Sequence, residues 1–271
     1  MVKGSHIVVP RLYKGAHAYI LQNDDDRIVF AIPYEKYFTL IGTTDVKFSG
    51  DPAKVKIKKS EKDYLCQAVN KYFETDISAQ DIVWTYSGVR PLLDDGEEND
   101  SKVTRDYKLD LEWHKDCPSL SVYGGKLTTF RKLSEQFVDT LAEDVYETTP
   151  PAWTDSVTLP GGDLLPAANF DMFLSMLHLE YHWLSKRLAY RYVRSYGSRV
   201  RVLLRNCHHV EDMGKELAPD LFEHEIDYLM DYEDAQTAED VLWRRSKRGL
   251  HGDEKAVERV EKYMKKRAAQ K

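Results

Sequence analysis

The chain has 271 residues, 42% hydrophobic and 11% aromatic, enough to bury one large core or two ordinary ones. Its formal net charge of −6 excludes a globally basic nucleic-acid binder. The only cysteines, Cys66, Cys117 and Cys207, form no CxxC, which argues against a disulfide framework or a zinc cluster and fits a reducing, cytoplasmic compartment.

No apolar run approaches the length of a spanning helix and no secretion leader follows Met1, so any membrane contact is expected to be peripheral. The chain opens on "MVKGSHIVVPR", an extended apolar run without a lead-in, as though it begins inside a fold. Four β-rich runs follow as an antiparallel meander: "HIVV" (6–9), "HAYIL" (17–21), "RIVFAIP" near 28–34 and "YFTLIGTT" (37–44). From Ser60 the spacing of Leu65, Ala68, Val69, Tyr72 and Phe73 predicts a helix, with Ser60 and Asp63 placed for a capping box. Strands are expected again at 81–91, 103–111 and 119–123, the first two joined by the acidic loop "DDGEENDS". "SVYGGKLTTFRK" (121–132) then leaves a strand through Gly124-Gly125 and enters a helix whose buried side is Leu127, Phe130, Leu133, Phe137, Val138 and Leu141. Prolines and the Gly161-Gly162 pair break the texture in "ETTPPAWTDSVTLPGGDLLP" (147–166), and a domain boundary is placed there. Beyond it the pattern reads as helices at 169–179, 181–196, 199–206, 220–231, 236–248 and 253–269, with no strand.

Three cations near strand ends, Arg90, Arg105 and Lys126, can converge on one phosphate, which guanidinium forks and an ammonium recognise together. The alternative is that each is an ordinary surface cation. His6, when neutral, can take an alcohol proton; equally it can be a strand histidine held by a hydrogen bond. In "IGTTD" (41–45), Thr43, Thr44 and Asp45 read as a strand end satisfying turn amides. "NCHHV" (206–210) has adjacent histidines that diverge on a helix, so no metal is expected. In "VLWRRSKRG" (241–249), Arg244, Arg245, Lys247 and Arg248 either oppose a helix dipole or form a docking patch for an anionic membrane. Neither GxGxxG nor GxxxxGK[ST] occurs, so no recognisable pyrophosphate cradle is present.

Taken in order, "GSHIVVPR", "FAIPYE", "IGTTD", "IVWTYSGVRPL", "TRDY", "SVYGGKLTTFRKL", "PAWT", "LPGG" and "VLWRRSKRG" resemble the C-terminal half of the FAD-dependent aerobic glycerol-3-phosphate dehydrogenases. The resemblance implies an α/β (α+β) fold: residues 1–149 as substrate-binding antiparallel sheet plus the last piece of the FAD domain, and 150–271 as an all-helical cap, the N-terminal Rossmann-like FAD-binding part being missing. It implies oxidation of sn-glycerol 3-phosphate to dihydroxyacetone phosphate, with electrons passing through FAD to a quinone at the inner face of the cytoplasmic membrane. Carried over residue by residue, His6 matches a histidine near the reacting face, where it is expected to be the proton acceptor; Arg90, Arg105 and Lys126 hold the substrate; Gly124, Gly125, Leu127, Thr128 and Thr129 face the flavin's pyrimidine edge. There the positive helix end would stabilise reduced flavin. These 271 residues alone are expected to be colourless and inactive, and a homodimer is compatible with the cap. Two other readings stand beside this one: a glycerol-3-phosphate oxidase that uses O2, and a non-catalytic module that binds a phosphorylated metabolite.

Overall fold

The computed structural model describes residues 1–90, 106–146, 148 and 151–270. The chain divides into two units, Met1–Asp155 and Ser156–Lys271. The expected strand 103–111 begins outside the described residues, which take it up at Tyr107.

The first unit is built on β1 (Val2–Pro10), whose apolar run makes it the central strand of an antiparallel sheet. β2 (Tyr19–Gln22), β3 (Ile28–Tyr34) and β4 (Phe38–Gly42) extend that sheet in the order β2-β3-β4-β1. β5 (Val46–Lys47) continues along the first residues of β1, and β6 (Trp84–Arg90) covers the other edge of β1 from Val2 to Val8. Alternation along β1 sends Ile7 and Val9 to one face, where with Leu21, Val29 and Ile41 they meet Leu65, Cys66, Ala68 and Val69 of α1 (Lys59–Asn70). Each such side chain contributes about 1.5–3 kcal/mol when fully buried. His6 and Val8 therefore take the opposite face.

α1 starts earlier than the Ser60–Asp63 spacing suggested: its first turn is closed by Glu61, whose carboxylate accepts the Lys58 amide at 2.8 Å. Tyr72 falls beyond its last residue and is half exposed.

A separate two-stranded sheet, β7 (Tyr107–His114) and β8 (Cys117–Gly124), leads through a 3-10 turn at Leu127–Thr129 into α2 (Phe130–Asp144). The apolar stripe expected to be the buried side of α2 is not buried: Phe130 and Val138 are exposed, and Ala142 is its one buried residue. The period-3.6 pattern was right, but within the described residues of this unit no layer covers that stripe.

The second unit packs α3 (Phe170–Glu180), α4 (Lys186–Tyr196), α5 (Val200–Leu203), α6 (Glu223–Tyr232) and α7 (Ala256–Ala268) around Phe173, Leu177, Tyr192, Leu203, Ile226 and Val260. Asn169 and Ser185 cap α3 and α4, their side chains accepting the amides of Met172 (2.9 Å) and Leu188 (3.2 Å). The unit is not all-helical: β9 (Glu216–Ala218) and β10 (Leu221–Phe222) form a small hairpin. Asp220, at φ 61°, turns the chain between them. Strands this short leave no period to read. The 236–248 helix is a single π-helical stretch at Asp240–Arg245 followed by a 3-10 turn at Arg248–Leu250. "LPGG" is a clamp: the Gly161 carbonyl accepts the Ser198 amide at 2.9 Å, and a Cβ on Gly197 would lie 1.9 Å from that same oxygen.

Candidate active site

Antiparallel pairing sets one row of residues directly opposite each other across the sheet: Ile20, Phe30, Gly42, His6 and Tyr86. Directly paired residues share a face, so this row lies on the face away from α1. Within it His6 is held by shape. Its imidazole stacks on the Tyr86 ring at a centroid distance of 4.7 Å and an interplanar angle of 7°. On the other side Gly42 makes room, since a Cβ there would fall 2.2 Å from His6 Cδ2. His6 Nδ1 is buried and has no hydrogen-bond partner among the described residues. Burial first, and then the positive charge of Arg90, push the imidazole pKa below its ordinary 6.5, so the ring is a neutral base near physiological pH.

Next to this row Gly4 pairs with Gly88, and beyond them Val2 pairs with Arg90. Added methyl groups would have different fates at the two glycines. At Gly88 one would meet open space; at Gly4 one would lie 2.7 Å from Thr43 Oγ1 and 3.0 Å from Arg90 Nη2. Gly88 thus leaves open floor between the His6–Tyr86 stack and the Arg90 guanidinium, while the space over Gly4 is taken by Thr43 and the guanidinium itself. An ion pair from Arg90 Nη1 to Asp45 fixes the guanidinium, and the two side chains are 30% and 27% exposed. Tyr86 and the nearby Tyr34 remain neutral phenols: burial raises both, Tyr34 to about 12 with the help of Tyr86 and Glu35. The arrangement can accept a proton at the imidazole and offer donors to an anion a short way off.

His6 and Arg90 are therefore brought together. Arg105 lies outside the described residues. Lys126 is exposed and lies between β8 and the 3-10 turn, where its carbonyl accepts the amide (3.1 Å) and hydroxyl (2.8 Å) of Thr129. The hydroxyl of Thr129 is thereby spent locally. Gly124 and Gly125 have φ 73° and 94°, and a Cβ on Gly125 would press to 3.1 Å from Tyr107 Cβ, so both positions require glycine. Leu127 (89% exposed) and Thr128 lie open at the entrance to α2. A backbone cleared of side chains ahead of a helix fits the polar edge of a flavin.

Other motifs are absorbed by structure. The His208 and His209 amides donate to Asp212 Oδ2 at 2.7 and 2.9 Å, and among the described residues no group of three His, Cys, Asp or Glu is placed to hold a metal. In "VLWRRSKRG", Arg244 pairs with Glu239 and Asp240, Arg245 binds the Glu233 carbonyl, and Arg248 is buried near Asp220. Arg245 and Arg248 are thus engaged inward, while Arg244 is exposed and neutralised by two carboxylates. Tyr86 was not singled out from the sequence, and Asp45 read there as a turn residue rather than as the partner of Arg90. The signal was there: alternation in "TYSGVR" puts Tyr86, Gly88 and Arg90 on one face, and only the register with β1 was lacking.

Residues 1–112 match the FAD dependent oxidoreductase family, and residues 152–270 match the C-terminal domain of alpha-glycerophosphate oxidase. The chain thus shares one segment with FAD-dependent oxidoreductases, a class whose cofactor is FAD, and a second with this C-terminal domain. More narrowly, it is similar to a glycerol-3-phosphate dehydrogenase of Pseudomonas aeruginosa, 49% identical over 92% of this chain and 48% of that protein. The aerobic glycerol-3-phosphate dehydrogenase of Escherichia coli is 47% identical over 92% of this chain and 50% of that protein. A D-erythritol 1-phosphate dehydrogenase of Brucella abortus is 42% identical over 93% and 50%. The chain thus spans about half the length of these relatives.

Proposed function

We propose that this chain supplies the substrate side of a flavoprotein that oxidises sn-glycerol 3-phosphate at C2 to dihydroxyacetone phosphate. The observation that supports the reading is a neutral imidazole, its Nδ1 without a hydrogen-bond partner among the described residues, set beside a fixed guanidinium with open space over Gly88. Arg90 binds the phosphoester, helped by Arg105 and Lys126. The C2 hydroxyl gives its proton to His6 Nε2, because Nδ1 is enclosed. Tyr86 keeps the ring in plane as it becomes imidazolium, a cation that an aromatic face stabilises. A bound FAD would supply the acceptor for the hydride that leaves C2. Gly124, Gly125, Leu127 and Thr128 would hold the flavin's polar edge, Thr129 being engaged with the Lys126 carbonyl. These residues carry no GxGxxG, so the chain without a pyrophosphate cradle is colourless and inactive in this reading.

Electrons leave to a quinone at the inner surface of the cytoplasmic membrane. No helix among the described residues is long and apolar enough to cross a membrane. An oxidase reading draws support from the match of 152–270 to a domain named for an oxidase, and stopped-flow reoxidation by air against quinone separates the two.

The test of the substrate is Arg90→Ala in the FAD-loaded enzyme, with anaerobic flavin reduction followed for glycerol 3-phosphate, erythritol 1-phosphate and glycerol. Loss of a charged hydrogen-bonding partner is worth about 1.5–3 kcal/mol, so KM for the phosphoesters rises roughly 10- to 150-fold while the feeble response to glycerol stays put. An unchanged KM for both phosphoesters would remove Arg90 from phosphate binding.

A further inference from the structure

Behind His6, on the face that α1 covers, a charged cluster is buried in an otherwise apolar interface. Lys3 is 1% exposed and Glu61 5%. Glu61 Oε2 accepts from Lys3 Nζ at 2.5 Å and from the Lys58 amide at 2.8 Å. Its other oxygen accepts the hydroxyls of Ser5 and Thr44, each at 2.8 Å. The Ser5 amide donates to Thr44 Oγ1 at 3.0 Å, and the Ser5 and Ser87 hydroxyls meet at 2.9 Å. Lys3 also donates to the Lys56 carbonyl at 3.1 Å. Burial alone would raise the Glu61 carboxyl, but the bonds from Lys3, Lys58, Ser5 and Thr44 outweigh it and hold the group ionised below the usual carboxylate range.

Stability is a weak reason for such a cluster, because replacing a buried ion pair with apolar side chains is often neutral or stabilising. Its connectivity is more informative. Ser5 precedes His6, Thr44 precedes Asp45, and Ser87 follows Tyr86. Ser5 and Ser87 lie in β1 and β6, where successive residues point to opposite faces, so a hydroxyl pinned behind the sheet fixes the side chain in front of it; Thr44 and Asp45 are chain neighbours in the connection between β4 and β5, where pinning the one holds the backbone of the other. One carboxylate therefore ties together the backbone behind the proton acceptor, the ring that stacks on it and the anchor of the guanidinium. A displacement of about 1 Å at a reacting group can cost on the order of 100-fold in rate.

We propose that Glu61 is a positioning residue for the reaction, setting His6 through Ser5 and Arg90 through Thr44 and Asp45. This rests on the front face being the active site. The neutral arms of the network test it without orphaning a buried charge. In the FAD-loaded enzyme, Thr44→Val, Thr44→Ser and Ser5→Ala are compared for flavin content, thermal midpoint, and the kcat, KM and pH profile of anaerobic flavin reduction by glycerol 3-phosphate. Thr44→Val is expected to raise KM about tenfold, and Thr44→Ser to restore it to within about twofold. Ser5→Ala is expected to lower kcat about fivefold and to move the acid limb of the profile, with little change in KM. If both Thr44→Val and Ser5→Ala lower only the thermal midpoint, with kinetics and acid limb per bound flavin unchanged, the cluster is structural and the proposal is wrong. Should Thr44→Val not accumulate as a flavoprotein, Ser5→Ala decides alone. Arg90→Ala and His6→Gln, run alongside, keep the two claims apart. Activity lost in them but intact in the network variants sinks the positioning role alone, while activity intact in them sinks the site itself.

Discussion

In the helical unit Glu225 is fully buried and receives both terminal nitrogens of Arg191, at 2.7 and 2.5 Å, and the Tyr196 hydroxyl at 2.6 Å. In the sheet unit His6 Nδ1 is buried with no partner among the described residues, yet its ring borders an open floor. Arg191 Nε also lacks a partner among the described residues, but that side chain is only 12% exposed and belongs to a closed cluster. An unsatisfied atom or a perturbed titration is thus not in itself a sign of chemistry. Space beside the group separates the two cases, and on the sheet that space is made by Gly88, above which nothing lies within 4 Å of an added Cβ.

The contrast predicts opposite phenotypes. Breaking the Arg191–Glu225 pair with Arg191→Met leaves a buried carboxylate uncompensated and costs about 3–5 kcal/mol, read as a lowered midpoint in urea. Flavin reduction by the protein that stays folded is unchanged. A loss of rate per bound flavin would break the comparison. On the sheet, small additions act on chemistry instead. Gly42→Ala drives a methyl group into the His6 ring and is expected to lower kcat about tenfold or more. Gly88→Ala fits sterically but occupies the floor, so it raises KM a few-fold with thermal stability held. Equal effects of the two substitutions on kcat would show that the floor and the ring are not distinct parts of the site.

Much of this architecture is legible in the residues. "GSHIVV" and "FTLIG" alternate or run apolar because β1 and β4 sit at the centre of a sheet, and Leu65, Ala68 and Val69 mark the covered side of α1. The cap of α1 was misplaced because Glu61 turns inward to Lys3, Ser5 and Thr44, partners more than 15 residues away that no local pattern names. Arg90 and His6 were visible as residue types, but their meeting depends on the register of β1 against β6. Asp45 read as a turn residue because its guanidinium partner is 45 positions along the chain. The β9–β10 hairpin was missed because its strands have three and two residues, fewer than one readable period.

The central claim is that His6 takes the substrate proton. The most direct measurement is the rate constant for anaerobic flavin reduction by saturating glycerol 3-phosphate between about pH 5 and 9, in wild-type FAD-loaded enzyme and His6→Gln. Burial and Arg90 lower the imidazole pKa, so the base form persists as pH falls through 6.5 and the wild-type acid limb lies below that value. His6→Gln is expected to lose this limb and to run about 100-fold or more slower across the range. A substituted enzyme with the wild-type rate and the same acid limb would contradict the account.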